Sequence, residues 1–264
     1  MSLELSLRKF DAKKLRSPAI AMRVDVSDHK GEGPLHRHSQ GQLVLALKGG
    51  VTCEVANSIW MVPPTCAVWV PGGMMHSIRA TANARICFLF VKPGAAALPV
   101  ECCTLSISPL IRELIQHLAD LTQEFRIDSP AGRLVGVLLE QLVLMPIERL
   151  HLPMPQDRRI RKIAEMLSED PADRSTFPTW ASRVAMNERS LSRLMHRETG
   201  LSFGRWRRQL HLIVALRELS AGATVQEVSG TLGYESVTAF ITMFKKALGK
   251  PPAKYFADMQ QSRW

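Results

Sequence analysis

Residues 187–206 read NERSLSRLMHRETGLSFGRW, and residues 236–255 read SVTAFITMFKKALGKPPAKY; the two stretches align without a gap at an offset of 49. Apolar or aromatic residues and a glycine occupy matching positions in both copies: Leu191 with Phe240, Leu194 with Met243, Met195 with Phe244, Gly200 with Gly249, and Trp206 with Tyr255. The apolar spacing is helical, and a glycine after such a pattern is typical of a helix end. The repeat therefore predicts two copies of one helical unit.

A shorter helical pattern precedes each copy, at residues 179–186 (TWASRVAM) and at residues 224–233 (TVQEVSGTLG). Two short helices joined by a turn form a helix-turn-helix, in which the second helix enters the major groove of DNA. A further helix, over about residues 203–220, would separate the copies by roughly 27 Å at 1.5 Å per residue. Successive major-groove faces lie roughly 34 Å apart. One chain can therefore place both recognition helices on one face of DNA.

The outer faces of the two recognition helices are the predicted DNA-binding surface. In the first helix its members are Asn187, as the N-cap, with Arg189, Ser190, Ser192, Arg193, His196 and Arg197. In the second they are Thr238, Thr242, Lys245 and Lys246. Arginine donates two parallel hydrogen bonds to guanine, whereas lysines and methyl groups suit phosphates and thymine. The first copy is therefore predicted to read bases and the second to position the protein.

The charge of the chain is concentrated in a way that fits this prediction. The net charge is +6 over residues 1–100, −3 over residues 101–155 and +7 over residues 156–264. A basic domain gains free energy near phosphates by releasing condensed counterions. A helical bundle with a solvated basic face is the alternative, and the two aligned copies argue against it.

The N-terminal part shows the pattern of an all-β domain. Short β-prone runs, separated by turn-forming residues, predict strands at QLVLALKGG, VTCEVA, SIWMV, CAVWV and ARICFLFV within residues 42–91. Helices are predicted over residues 110–121 and from about Arg133 to Arg149. The apolar stripe of the second helix is wide, which indicates either a dimer interface or burial within its own domain. Prolines in LHLPMPQD predict a linker that ends near Gln156.

The C-terminal residues resemble the AraC/XylS family of bacterial transcription factors over approximately residues 158–257. The resemblance is carried by SLSRLMHRETGLSFGRW and GYESVTAFITMFKKALGKPPAKYF. It implies promoter binding as a dimer or paired monomers, activation or repression, and a response to a small molecule. The chain departs from the family pattern in the second unit at Ser229, Gly230 and Thr242, and in the intervening helix at His211.

Two segments of the β domain, PLHRHSQGQ and VPGGMMHSI, look like the two motifs of a cupin barrel. This resemblance implies metal-ligand positions at His36, His38 and His76, with Gln42 in place of the usual glutamate. Two occupants stay open: a divalent metal on the three histidines, or a metal-free pocket in which these four side chains hydrogen-bond an effector. Trp60 and Trp69 are candidate lining residues of the effector pocket.

The predicted fold class is α+β: an N-terminal cupin-like β-barrel plus helices, then an all-α C-terminal domain with two helix-turn-helix motifs. The predicted domains are a sensor at residues 1–104, a helical dimerisation or linker segment at 105–155, and a DNA-binding domain at 156–264.

The predicted function is sequence-specific transcriptional regulation, without enzymatic activity. The expected partners are promoter DNA, a small-molecule effector, a second copy of the chain, and RNA polymerase if the protein activates. Residues 1–14 are charged rather than apolar, so neither an export signal nor a membrane partner is expected, and a cytoplasmic location is predicted. The alternatives are a cupin metalloenzyme, such as a dioxygenase or isomerase, and a nucleic-acid packaging protein without sequence preference.

Overall fold

The computed structural model describes residues 17–26, 33–63, 65–121, 125–148 and 150–261. Its contacts divide the chain into two compact units, one of residues 1–56 and 60–150 and the other of residues 57–59 and 151–264. The segment of residues 1–14, expected to carry no export signal, lies outside the described residues. The three predicted domains stay a prediction.

The first unit is built mainly from antiparallel strands. Their bounds are β1 Ala19–Asp25, β2 Gly41–Lys48, β3 Val51–Val55, β4 Ser58–Met61, β5 Cys66–Val70, β6 His76–Ala80, β7 Arg85–Val91, β8 Cys103–Ser106 and β9 Ile147–Glu148. One sheet has the order β1-β7-β2-β5-β8-β9, and the other contains β4, β3 and β6 in that order. The five predicted strands are confirmed as β2, β3, β4, β5 and β7.

The two faces of the larger sheet bury different residues because side chains alternate along a strand. On β2, Val44 joins an interior cluster with Phe88 of the same sheet and Ile78 of the smaller sheet. Leu43 and Leu45 lie on the opposite face, in a cluster that includes side chains of two helices. Gln42 has the same parity as Val44, so strand geometry directs it towards the interior.

Two helices cover this outer face: α1 spans Pro109–Asp120 and α2 spans Pro130–Val143. Each begins with proline after a serine whose side chain accepts a hydrogen bond from a backbone N–H, which is favoured at a helix start. The predicted extension of α2 to Arg149 is wrong: the helix ends at Val143, and residue 149 lies outside the described residues. Pro146 disfavours helical backbone at the residue before it, and β9 follows.

The second unit begins with the short strand β10, His151–Pro153, and continues as helices. Their bounds are α3 Arg158–Glu169, α4 Phe177–Arg183, α5 Glu188–Thr199, α6 Phe203–Ala221, α7 Val225–Thr231, α8 Val237–Leu248 and α9 Pro252–Gln261. The helices α5 and α8 begin and end at positions 49 residues apart, as the repeat predicted. The α+β fold class and both helix-turn-helix motifs are confirmed.

The helix α6 forms the centre of the second unit. Every residue from Leu210 to Leu216 is buried, so this stretch has neighbours around its whole circumference. The ring of Trp206, at its first turn, is fully buried and donates a hydrogen bond to the carbonyl of Pro153 at 2.8 Å. The predicted connecting helix is therefore a core element rather than an exposed spacer.

Within the described residues, no helix combines the length and the apolar character that a membrane crossing requires.

Candidate functional site

The helix α5 is the first predicted recognition helix, and its ends are defined by two residues. The side chain of Asn187 accepts a hydrogen bond from the backbone N–H of Ser190 at 2.8 Å, as predicted for an N-cap. Gly200 ends the helix with φ at +70°, a conformation that glycine adopts without strain. The apolar face packs inwards, where Leu191, Leu194 and Met195 are buried.

The opposite face of α5 is accessible to a partner. Ser190 is half-buried, and the other predicted residues are exposed: Asn187, Arg189, Ser192, Arg193, His196 and Arg197. Arg197 also forms an ion pair of 3.7 Å with Glu198. An exposed ion pair of this kind is weak, so it leaves Arg197 free to turn towards a phosphate.

The helix α8 has the same construction with different outer residues. The ring centroids of Phe240 and Phe244 lie 6.0 Å apart and both rings are fully buried, whereas Met243, which aligns with the buried Leu194, is half-buried. The four predicted DNA-binding residues are exposed: Thr238, Thr242, Lys245 and Lys246. The Thr242 hydroxyl donates to the carbonyl of Thr238 at 2.8 Å, which leaves its methyl group and an acceptor for a partner.

The loop between α3 and α4 contacts both the second helix-turn-helix motif and α6. The sequence did not predict these contacts. Arg174 donates from Nε to the carbonyl of Gly233 at 2.8 Å and pairs with Glu235 at 3.1 Å. Arg207, on α6, donates to the carbonyl of Asp173 in the same loop. These contacts join sequence positions 59, 61 and 34 residues apart, so no local pattern indicates them.

A buried histidine lies beside this loop. The Nε2 of His211 lies 3.0 Å from the carbonyl of Pro171, and its Nδ1 lies 3.2 Å from the hydroxyl of Tyr234. A carbonyl only accepts, so Nε2 donates and Nδ1 accepts from the tyrosine. Burial lowers the pKa of His211 to about 4, helped by the positive charge of Arg207.

The second candidate site lies in the first unit, where three histidines meet. His36 and His76 exchange two backbone hydrogen bonds of 2.9 Å, which brings the first cupin-like motif against the start of β6. The ring centroids of His36, His38 and His76 lie between 4.4 and 5.7 Å apart. One ring nitrogen of each lies within 4.8 Å of the others, which is the spacing of a metal-ligand group.

Backbone carbonyls orient all three imidazole rings. The Nδ1 atoms of His36, His38 and His76 lie 2.7, 2.8 and 2.9 Å from the carbonyls of Pro34, Gln40 and Met74. These carbonyls can only accept, so each Nδ1 carries a proton and each neutral ring keeps its Nε2 lone pair. Carbonyl partners on the distal nitrogen also orient metal-bound histidines, so the three rings fit a divalent ion.

Gln42 completes this group from β2. Its Oε1 lies 2.9 Å from Nε2 of His38 and 3.0 Å from Nε2 of His76. Burial is the largest cause that lowers the pKa of both histidines, to about 4 for His76. Both rings are therefore neutral at pH 7. The histidines and Gln42 predicted as effector contacts are thus brought together.

The two predicted pocket tryptophans lie on different faces. Trp60 belongs to the interior cluster of the sheets and remains a candidate lining residue. Trp69 lies in the outer cluster under the helices, with its indole N–H donating to the carbonyl of Pro99 at 2.8 Å. Its assignment to the effector pocket is corrected, because alternation along β5 turns it away from the interior.

Comparison with known proteins gives matches in both parts of the chain. Residues 24–140 match the family described as AraC-like ligand binding domain, and residues 180–258 match the family described as helix-turn-helix domain. The HTH-type transcriptional regulator NimR of Escherichia coli K12 is 48% identical over 98% of this chain and 95% of its own length.

More distant matches cover parts of the chain. The arabinose operon regulatory protein of E. coli K12 is 28% identical over 47% of this chain and 44% of its own length. A solved structure of the DNA-binding domain of AdpA, in complex with a target DNA, covers 40% of this chain and 96% of its own, at 26% identity and a TM-score of 0.37.

Proposed function

Since this chain belongs to the AraC family of helix-turn-helix transcriptional regulators, we propose that α5 reads its promoter bases while α8 positions the protein on DNA. The protein is a transcriptional regulator with an N-terminal ligand-binding domain and a C-terminal DNA-binding domain. The observation that carries the proposal is the exposed outer face of α5, with three arginines where α8 has threonines and lysines.

The effector site is proposed at the histidine cluster. His36, His38, Gln42 and His76 converge beside the interior cluster, where the ring centroid of Phe90 lies 5.5 Å from that of His38. Trp60, of the same cluster, is proposed as a lining residue. The proposed cofactor is a divalent metal held by the three histidines. When bound, such an ion supplies a Lewis-acidic position for a donor atom of the effector.

A homodimer is proposed from the apolar surface at the end of α2. Val137, Val143, Leu144 and Ile147 are each at least 42% exposed, and exposed apolar patches mark interaction sites. A second copy of the chain suits this surface, because two DNA-bound copies would bring equal surfaces together. RNA polymerase is proposed as a further partner if the protein activates.

The proposed location is the cytoplasm, where a bacterial regulator meets its promoter. No enzymatic activity is proposed, since NimR, which matches almost the whole chain, is named as a transcriptional regulator.

The test of this function is selection of DNA by the purified full-length protein. Genomic fragments retained at moderate salt are sequenced for the wild type and for Arg193→Ala. We expect one recurring site for the wild type and a relaxed preference for the variant. Retention without a recurring site would contradict the proposal and favour a packaging protein, whose binding depends on phosphates alone.

A further inference from the structure

A cleft of about 420 Å³ lies in the second unit, between α6 and the turn that joins α7 to α8. The helix α6 contributes four lining residues at a spacing of three or four, which places them on one side of the helix: Gly204, Arg207, Arg208 and His211. The facing wall includes Tyr234 and Glu235 of the turn. The cleft therefore belongs to the motif whose second helix carries proposed DNA contacts.

Positive charge exceeds negative charge in the lining of this cleft. Three arginines line it together with one glutamate, and His211 is neutral at pH 7, so the lining has a net charge of +2. The glutamate, Glu235, already pairs with one of the arginines, Arg174, at 3.1 Å. Arg207 and Arg208 form no ion pair with a carboxylate of the described residues. The partner that the cleft lacks is therefore an anion.

The two arginines of α6 are held in different ways. Arg207 is half-buried and donates from Nη2 to the carbonyl of Asp173, while its buried Nε has no partner within the part of the chain that the structure describes. A carbonyl does not neutralise the guanidinium, which stays protonated, so a positive charge is fixed in the wall. Arg208 is exposed, and it forms no hydrogen bond with the described residues. Its guanidinium is therefore free to turn towards an acceptor.

The position of the cleft in the motif determines which anion reaches it. Ala239, in the first turn of α8, lines the cleft and follows Thr238, a proposed DNA contact. The N-terminal residues of the second helix of such a motif contact base edges inside the major groove. Because the phosphate backbones border that groove, a side chain beside the first turn of α8 faces phosphates. Gly204 has no side chain, and a Cβ built there would meet Arg208 Nη1 at an ordinary contact distance of 3.9 Å.

We propose that the cleft binds one phosphate group of the DNA backbone, through hydrogen bonds from Arg208 and the fixed charge of Arg207. The proposal rests on the proposed function and adds α6 to the elements that contact DNA. A phosphate is anionic and accepts two parallel hydrogen bonds from one guanidinium, so it supplies the missing partner. The carboxylate of Glu235 opposes it, but this side chain is 85% exposed and can turn into solvent.

The first experiment measures the salt dependence of DNA binding. Fluorescence anisotropy is recorded for the full-length protein on a duplex that carries the selected site, over a range of salt. Arg208→Ala should bind about tenfold more weakly at low salt, since it loses a hydrogen bond between charged groups. The slope of log affinity against log salt should decrease by about 1.

Two further variants are the controls for this measurement. Arg208→Lys keeps the charge and should keep the wild-type slope. Arg217→Ala should also behave as wild type, because Arg217 is an exposed arginine of α6 whose position along the helix places it on the side opposite Arg208. Equal slopes for wild type and Arg208→Ala would overturn the proposal.

The second experiment identifies the phosphate. Duplexes are prepared in which one phosphate at a time is replaced by an uncharged methylphosphonate. Wild-type binding should weaken at each contacted phosphate, whereas Arg208→Ala should lose this sensitivity at one position, where the partner of the phosphate is already absent. The same profile for both proteins would overturn the proposal, since Arg208 would then act only through long-range attraction.

The third experiment changes the opposing charge. Glu235→Gln removes the carboxylate from the lining but keeps an acceptor for Arg174. It should strengthen binding to every duplex by roughly two- to fivefold, the effect of one exposed charge. Unchanged or weaker binding would overturn the placement of a phosphate beside this residue.

Failure of the cleft and failure of the proposed function are distinguishable, because phosphates are present in every duplex. Loss of site selection, with a lower salt slope for Arg208→Ala on a scrambled duplex, would overturn the proposed function alone. A recurring selected site, with equal slopes for wild type and Arg208→Ala, would overturn the phosphate cleft alone.

Discussion

Arg193 on α5 and Thr242 on α8 occupy equivalent positions of the repeat, and both are exposed. An arginine can hydrogen-bond two acceptors of guanine at once, whereas the hydroxyl proton of Thr242 is already donated within its own helix. Single residues therefore distinguish the two motifs, although their helices have the same length and both end at a glycine.

Replacing Arg193 by alanine should weaken binding to the selected DNA site by about 1–3 kcal/mol and relax the preference at one base pair. Replacing Lys245 by alanine should weaken binding to all sequences similarly and reduce its salt dependence. Fluorescence anisotropy on the selected site and on a scrambled duplex, over a range of salt, measures both effects. Equal losses on both duplexes for both variants would contradict the division of labour.

His211 makes the stability of the second unit depend on pH. Its pKa is about 4 in the folded unit, below the ordinary value of 6.5, so the unfolded chain binds the proton more readily. The stabilisation is complete above pH 6.5 and is lost as the pH falls towards 4. From pH 7 to pH 5 the unit should lose about 2 kcal/mol at this residue.

Urea unfolding read by hydrogen–deuterium exchange of α6 peptides measures this loss. His211→Gln, which keeps a donor and an acceptor, should be less sensitive to pH, whereas His196→Gln on the exposed face should behave as wild type. An unchanged pH dependence in His211→Gln would show that other groups cause it.

At the scale of elements, α7 combines a strong start with a weak interior. Thr224 and Glu227 form a reciprocal capping box, while Gly230 lies within the helix and exposed. A Cβ built on Gly230 has no atom within 4 Å, so alanine fits without a clash. Gly233 differs: its φ is +69°, and a Cβ there would lie 3.0 Å from the carbonyl oxygen of Ala172.

Gly230→Ala should therefore stabilise the second unit by about 0.5–1 kcal/mol, because alanine loses less backbone freedom on folding. Gly233→Ala should destabilise it, since alanine is strained at positive φ and contacts the Arg174 loop. Urea midpoints of α6 peptides measure both variants. Stabilisation by both would contradict the conformational argument.

The elements differ in how far the sequence could predict them. The repeat located α5 and α8 because burial on one face imposes a helical period, and short β-prone runs bounded by turn residues located five strands. The strand β6 (HSIRA) contains one fully apolar core residue, Ile78, between polar neighbours, so its pattern is weak. The hydrogen bonds from Arg174 to Gly233 and the contacts of the Gln42 amide with His38 and His76 depend on tertiary geometry, which no local pattern encodes.

At the scale of the whole molecule, the proposed dimer makes the apolar end of α2 a determinant of assembly. The double variant Val137→Glu and Leu144→Glu should be monomeric, because it places charges on a surface that would be desolvated. Sedimentation equilibrium of the full-length protein measures the mass. Leu35→Glu is the control, since Leu35 is 63% exposed elsewhere in the first unit. A wild type that remains monomeric at high concentration would contradict the proposal.

The complete burial of α6 from Leu210 to Leu216 limits how the C-terminal unit can be recombined with its relatives. Both motifs pack on this one helix, so a chimera that exchanges only the first or only the second would join unrelated surfaces along it. Successful grafts should therefore transfer the whole segment from His151 to Gln261. The two copies of the repeat therefore cannot be exchanged separately, although their sequences align.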